Sequence, residues 1–477
     1  MMDNLGLAAP EMFLLCAICL ILVGDLFVSE QRKQFSYGLS QVALIVTLIL
    51  TWWITPETGA VTAFGGSFIM DQMAAICKAW IIIVSIGVFL YSRDFVNSHK
   101  ITNGEYYTLA LSGVLGMMIM VSSSTMLTLY LGLELLSLSL YAMVALKRTD
   151  QKSAEAAMKY FVLGALASGA LLYGISMIYG ATGSLHFHAI ADSLTAVGQG
   201  STAAVFGLAF LVVGIAFKFG AAPFHMWVPD VYEGAPTSVA LYISAAPKIA
   251  AFALSIRFLV DGLENAHNSW QGMLIVLSVL SIVLGNVIAL AQVSIKRMLA
   301  YSTVSHVGFI LLGLLSGTQQ GYSASMFYAI TYSFTSLGAF GIILAMDRMG
   351  VEIHLLTDLR GLFRRSPVYA CVMMLLLLSM TGIPPMVGFY AKFAVLIAVV
   401  KADLAWLAVI AVIFSVVGAF YYLRVIKYMF FDDPVEPQPV LAAMDVQLGI
   451  TINGAAIVLF GIFPGLIMAA CAAAFGL

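Results

Sequence analysis

Two titratable side chains sit where a chain this apolar ordinarily keeps none. The stretch Gly214-Ile-Ala-Phe-Lys-Phe-Gly-Ala-Ala-Pro-Phe-His-Met-Trp-Val-Pro-Asp230 carries Lys218 and His225 inside a long hydrophobic run, with Gly220 and Pro223 breaking any helix between them. An ammonium at membrane depth costs roughly 2.5–3.5 kcal/mol on insertion scales and more by simulation. It persists where it has a partner or a task. The same signature recurs. Lys248 follows Pro247 in Ser244-Ala-Ala-Pro-Lys-Ile-Ala250, and Lys392 closes Thr381-Gly-Ile-Pro-Pro-Met-Val-Gly-Phe-Tyr-Ala-Lys392. Glu134 is set in Leu131-Gly-Leu-Glu-Leu-Leu-Ser-Leu-Ser-Leu-Tyr141, and His306 ends the polar run Tyr301-Ser-Thr-Val-Ser-His306.

Amines, a carboxylate and imidazoles of this kind can pass protons. Burial favours the neutral amine and a nearby carboxylate favours the ammonium. A lysine balanced between the two can hold or release a proton near neutral pH, and moving the carboxylate would switch it. Histidine adds a group that titrates in the same range.

The elements that must position these groups follow from composition. Of 477 residues 62% are hydrophobic and only 10% charged, with a mean hydropathy of +1.01. Soluble domains average about 25% charged residues, so the class is an all-α polytopic membrane protein. The net charge of −2 gives no electrostatic case for nucleic acid. No stretch is long and polar enough to form a soluble catalytic domain. The N-terminus lacks a basic region, so the first apolar run reads as a retained span. Cysteines at 16, 19, 77, 371 and 471 lie in apolar runs. The single C-x-x-C pair has no second pair or histidine to complete a metal site, so these read as lipid- or core-facing thiols. No iron–sulfur, haem, flavin or nucleotide motif is visible, and no metal is expected.

A span needs about 20 apolar residues. That window gives about fourteen, centred on 7–29, 38–55, 71–92, 105–121, 125–146, 157–180, 202–227, 237–260, 270–292, 298–316, 322–346, 367–400, 403–427 and 446–474. The run 367–400 is too long for one straight helix and should contain a break. One set of alternate loops holds fifteen Lys and Arg, including Arg32, Lys33, Lys147, Lys296, Arg297 and Arg364, whereas the other holds only Lys401. The basic set is expected in the cytoplasm, with both termini on the far side. The basic loop 347–366 has room for a short interfacial helix, and the acidic, proline-rich 431–439 should lie in water.

Six cations then fall within spans. Arg257 and Lys159 lie near span ends, from where each could snorkel to the interface. Lys78 is about a third of the way into its span, and Lys218, Lys248 and Lys392 are deep. Glu134 reads as the one deep acid, so the three deep amines cannot all be ion-paired. The plain alternative is one structural pair with the other lysines facing water-filled crevices. Lysines beside backbone breaks in successive spans argue instead for a relay, because freed backbone groups at that depth must face protein or water. His225 shares a face with Lys218 only if the helix resumes in register. His306 and His225 could equally be hydrogen-bonded structural histidines. His186 and His188 lack a third ligand and are set aside.

Spans four to eight and nine to thirteen each comprise five helices, and spans seven and twelve each pair a lysine with a break. Five is odd, so the two copies would be inverted, as in many transporters. The division expected is a three-helix segment 1–104, a first repeat 105–260, a second repeat 261–428 and a terminal helix 429–477. The match is imperfect: Lys218 precedes its break, Lys392 follows its own, and His306 is the nearest counterpart of Glu134.

The motifs around Glu134, Lys218–Asp230 and Lys296-Arg-Met-Leu-Ala-Tyr-Ser-Thr-Val-Ser-His306 resemble the antiporter-like subunits of respiratory complex I over nearly the whole chain. Mrp-type sodium/proton antiporters and membrane-bound hydrogenases share the long span-seven motif. Ser-Ala-Ala-Pro-Lys248, a lysine rather than glutamate at 392, and an end after about fourteen spans without a lateral helix narrow the likeness within that family.

The resemblance implies two inverted five-helix repeats with helices seven and twelve broken. It implies a proton-transfer line of Glu134, Lys218, Lys248 and Lys392, with Lys159 as a lysine on the cytoplasmic side. His306 and His225 join that line as candidates. It further implies M-like and K-like neighbours in an obligate hetero-oligomer of a bacterial inner membrane. NADH, FMN, iron–sulfur clusters and quinone would be held by partner subunits and no cofactor by this chain. The alternatives are a subunit of an Mrp-type antiporter or membrane-bound hydrogenase, and a non-pumping structural spacer. Moving one charge against 100 mV takes about 2.3 kcal/mol, which a roughly hundredfold change in proton affinity can supply.

Overall fold

A computed structural model describes residues 2–27, 34–56, 59–99, 101, 103–197, 202–347, 352–434, 440 and 443–477. Twelve helices among the described residues are long and apolar enough to cross a membrane. Ala9–Asp25, of 17 residues, and the interrupted pair Pro367–Thr381 and Val387–Lys401 bring the spans to the expected number.

Sequence explains why the chain folds into this bundle. Small residues let backbones approach where lipid supplies no hydrophobic drive between helices. A Cβ on Gly116 would stand 2.7 Å from the Gly132 carbonyl oxygen, so span four, Asn103–Val121, lies directly against span five, Met126–Val144. A Cβ on Gly174 would stand 2.8 Å from the Gly207 carbonyl oxygen, seating span six, Gln151–Thr182, against the first half of span seven, Thr202–Phe219. Spans ten and eleven, Ile295–Leu315 and Gln319–Ala345, are the centre of the molecule: 94% of each apolar window is buried, against 28% for span two, Gln34–Ile54. A helix apolar all round belongs in such a core.

Three helices break as their sequences require. Span seven stops at Phe219, passes Gly220 at φ +78°, and resumes as Trp227–Gly234. Span twelve stops at Thr381, passes Gly382 at φ +90°, and resumes at Val387. A positive φ suits glycine, which has no Cβ to clash. Span eight is interrupted between Thr237–Ser244 and Ala246–Ser255, and Ala245 (φ −108°, ψ −95°) is not helical. The last apolar run also divides, into Met444–Ile462 and Gly465–Ala473 on either side of Pro464.

Some expectations are corrected. Among the described residues the all-α bundle carries in addition one small sheet, Val61–Ala63 antiparallel to Phe68–Met70, in the link before span three, Gln72–Ser98. Loop 347–366 holds the helical turns Leu356–Leu359 and Leu362–Arg365, while Arg348 and the loop cations Arg32, Lys33 and Lys100 lie outside the described residues. Most of 431–439 does too. Arg257 does not snorkel. It is 3% exposed, gripped by Asp71 and Asp261, and bonded to the Val121 carbonyl. Lys296, read as a loop cation, is 1% exposed. Glu134 is not the one acid inside the bundle, since Glu11 is buried against Lys78 at 2.5 Å. Those two residues are far apart in sequence, and only the tertiary packing of the bundle brings them together.

Candidate functional site

Glu134 lies on the third turn of span five, and Ser137, one turn on, shares its face. Lys218 is the penultimate residue of the first half of span seven, so its amine reaches from a helix end into the gap between spans five and six. There Lys218 Nζ donates to Ser137 Oγ at 2.8 Å and to Ser168 Oγ at 3.3 Å. Ser168 in turn donates to Glu134 Oε1 at 2.5 Å. Lys218 and Glu134 thus meet through the Ser168 hydroxyl.

Lys248 is 1% exposed and donates to the Phe219 carbonyl at 2.9 Å, with its amine 5.7 Å from the Trp227 ring centroid. The break in span seven creates both partners, because Phe219 ends one half and Trp227 begins the other. Lys218 and Lys248 line the same cavity, about 30 Å³, together with Ser137, Tyr160 and Trp227. At about 10–15 Å³ each, it has room for roughly two waters, and those polar side chains could bind them.

Beyond Lys248 the polar groups continue through the two central spans. Ser333 Oγ donates to the Ala245 carbonyl at 3.0 Å and Ser336 Oγ to Ser244 Oγ at 3.0 Å. Tyr332 donates to Thr303 Oγ1 at 2.7 Å, and its ring lies 4.7 Å from that of His306. His306 Nδ1 is 2.7 Å from the Tyr328 hydroxyl and Nε2 is 3.1 Å from the Tyr422 hydroxyl. The Tyr422 hydroxyl also contacts that of Ser302. A cavity of about 10 Å³ is bounded by His306, Tyr328, Tyr332 and Ser379.

Lys392, in the second half of span twelve, donates to the Thr381 carbonyl at 2.9 Å and to Ser415 Oγ at 2.8 Å. Its amine stands 5.0 Å from the centroid of Phe309, which stacks on Tyr328.

Two expected members stand apart from this line. Lys159 is 44% exposed and binds Asp230 at 2.8 Å and Glu155 at 2.9 Å, in a network that Arg297 extends to Asp230 and Glu233. His225 is half-buried in the non-helical link, so the shared face with Lys218 is not formed. Its ring lies 6.2 Å from that of Tyr301, and among the described residues its Nδ1 has no hydrogen-bond partner.

Sequence reasoning missed Ser137, Ser168, Tyr328, Tyr332, Tyr422 and Ser415. Serines recur so often in this chain that none stood out. The tyrosines carried a weak signal, since a buried phenol seeks a partner. Among the described residues no three His, Cys, Asp or Glu gather as a metal site would require.

The chain resembles known proteins over nearly its whole length. Residues 123–418, which take in every member of the line from Glu134 to Lys392, match the family described as NADH:quinone oxidoreductase/Mrp antiporter, TM. It is 55% identical over 461 residues to NADH-quinone oxidoreductase subunit N of Thioalkalivibrio sulfidiphilus, covering 96% of each chain. It is 53% identical to subunit N of Thiobacillus denitrificans, covering 98% of this chain and 97% of that one. Among solved structures, respiratory complex I from Thermus thermophilus with bound Aureothin contains a chain 31% identical, with a TM-score of 0.83 and coverage of 97% and 99%. The Mrp complex from Dietzia sp. shares the fold at a TM-score of 0.85 and 19% identity, covering 100% of this chain and 97% of its own. With this ancestry and these interrupted helices, the chain belongs to the NADH:quinone oxidoreductase/Mrp antiporter transmembrane family, on the branch of the quinone oxidoreductase subunits N.

Proposed function

We propose that this chain is a proton-translocating membrane-arm subunit of an NADH:quinone oxidoreductase, in which protons move along Glu134, Lys218, Lys248, His306 and Lys392. The observation that supports this most is the succession of polar groups from the cavity shared by Lys218 and Lys248, past the hydroxyls of spans eight and eleven, to the ring of His306. Isolated structural lysines have no need of such company. Glu134 sets how firmly Lys218 keeps its proton, and Lys392 takes the proton onward at the far end. Lys159 and His225, beside Asp230 and Tyr301, serve the approach to Lys218.

In this reading the energy comes from quinone reduction in partner subunits, which hold NADH, FMN, the iron–sulfur clusters and quinone. This chain supplies no redox centre. Its neighbours are M-like and K-like subunits and lipid, in a bacterial inner membrane with both termini on the periplasmic side. The functional units are 1–104, 105–260, 261–428 and 429–477, the middle two being inverted copies.

The test is Lys218→Ala in the assembled complex, read as NADH-driven proton pumping in vesicles. Pumping should fall by about a hundredfold or more, as loss of a positioned acid–base group does, with assembly intact. Normal pumping would leave only the spacer reading.

A further inference from the structure

Ser168 is one turn beyond Gly164 on span six, and no sequence motif marks either. A Cβ at Gly164 would collide with the Tyr141 hydroxyl, so this glycine lets spans five and six close on each other. That approach brings the Ser168 hydroxyl between Glu134 and Lys218. The serine is 5% exposed.

Glu134 and Lys218 do not form an ion pair, so a proton exchanged between them must cross an intervening atom. Two hydroxyls touch the amine, and they are not equivalent. Ser137 accepts from Lys218 at 2.8 Å, but its own O–H is engaged by the Leu133 carbonyl at 2.7 Å. It has no second proton to give. Ser168 accepts from Lys218 at 3.3 Å while its own O–H points to Glu134 Oε1 at 2.5 Å. Among the described residues this is the one hydroxyl placed to accept from the amine and donate to the carboxylate at once.

We infer that Ser168 is the group through which a proton passes between Lys218 and Glu134. The inference rests on the relay reading above. In the transfer an N–H bond of the Lys218 ammonium breaks as a new O–H forms on Ser168. The proton Ser168 held leaves for Glu134 Oε1, breaking the old O–H and forming another. The amine and the carboxyl group both end neutral, and the serine ends with one proton on the opposite side. No electron donor or acceptor is involved. Rotation about Cβ–Oγ resets the hydroxyl for the next passage.

The experiment compares Ser168→Ala and Ser168→Thr with wild type in the assembled complex, measuring NADH-driven pumping in vesicles across pH. Ser168→Ala should lower pumping by about a hundredfold, the lower end of what a positioned proton-transfer group contributes, and should move the pH profile. Ser168→Thr keeps the hydroxyl and should stay within a few fold of wild type with the profile unmoved. A packing role would not separate the two in this way. If Ser168→Ala does not assemble, Ser168→Cys fills the same space with a weak donor and is read for the same loss. Wild-type pumping and an unmoved profile in the alanine or cysteine variant would overturn the inference. If that occurs while Lys218→Ala abolishes pumping, the relay reading stands without Ser168. If Lys218→Ala is also silent, the relay reading itself falls.

Discussion

Arg257 holds Asp71 through two nitrogens, Nη1 to Oδ2 at 2.8 Å and Nη2 to Oδ1 at 2.9 Å, joining the end of span eight to the start of span three. Asp261 adds a third contact at 2.8 Å. The fork geometry that matches guanidinium to carboxylate explains why arginine stands here. Removing the cation would leave two half-buried carboxylates facing each other.

Arg257→Ala should therefore act on assembly. Breaking a buried pair from one side costs about 3–5 kcal/mol, a large part of the stability of a folded domain. The expected outcome is little or no intact complex on native electrophoresis of membranes, with Arg257→Lys in between. Full assembly of the alanine variant would show that the clamp is dispensable.

Glu134→Gln keeps the shape of the side chain and its acceptor for Ser168 but removes the negative charge. If the proposed relay holds, turnover coupled to pumping should drop about a hundredfold in a complex that still assembles. Unchanged turnover would take Glu134 out of the mechanism.

Tyr422→Phe deletes one hydroxyl and two contacts, those to His306 Nε2 at 3.1 Å and to Ser302. Leaving a buried ring nitrogen unsatisfied costs about 1–3 kcal/mol. Pumping should slow severalfold and the melting temperature in detergent should fall by a few degrees. A variant indistinguishable from wild type in both would place His306 outside the line.

Glu352 lies in the loop after span eleven. Burial would raise its pKa, but the Lys296 ammonium and hydrogen bonds from Lys147, Lys296 and Thr237 outweigh that and hold the carboxyl down at about 2. A folded-state value below the unfolded one gives stability that is complete above about pH 4.5 and is lost as pH falls toward 2. Glu352→Gln should melt below wild type at pH 7, and the gap should narrow once the pH drops below about 4.5. A gap independent of pH would assign the effect to packing.

How much was readable without coordinates depended on the range of the interaction. The spans, the interrupted runs and the placement of Lys218, Lys248 and Lys392 follow from local patterns of apolarity, glycine and proline. Partnerships between distant segments do not. Glu11 sits in an apolar first span with no nearby cation, so only helix packing shows that it answers Lys78. Lys296 looks like a loop cation beside Arg297, yet Glu352 draws it inward. Ser168 is one serine among many until Gly164 brings span five against it. The converse holds for His225, whose seven-residue spacing from Lys218 loses its meaning where the helix stops.

Lys248 and Lys392 have one arrangement in common: each donates to the carbonyl of the last residue of a severed helix, Phe219 for the first and Thr381 for the second. The exposed end of a helix carries partial negative charge, so a charged amine clasps it more firmly than a neutral one. In the relay proposed above, a lysine that gains or loses its proton would tighten or relax its grip on that stump. On that reading, chemistry at a nitrogen becomes a pull on the main chain at each break.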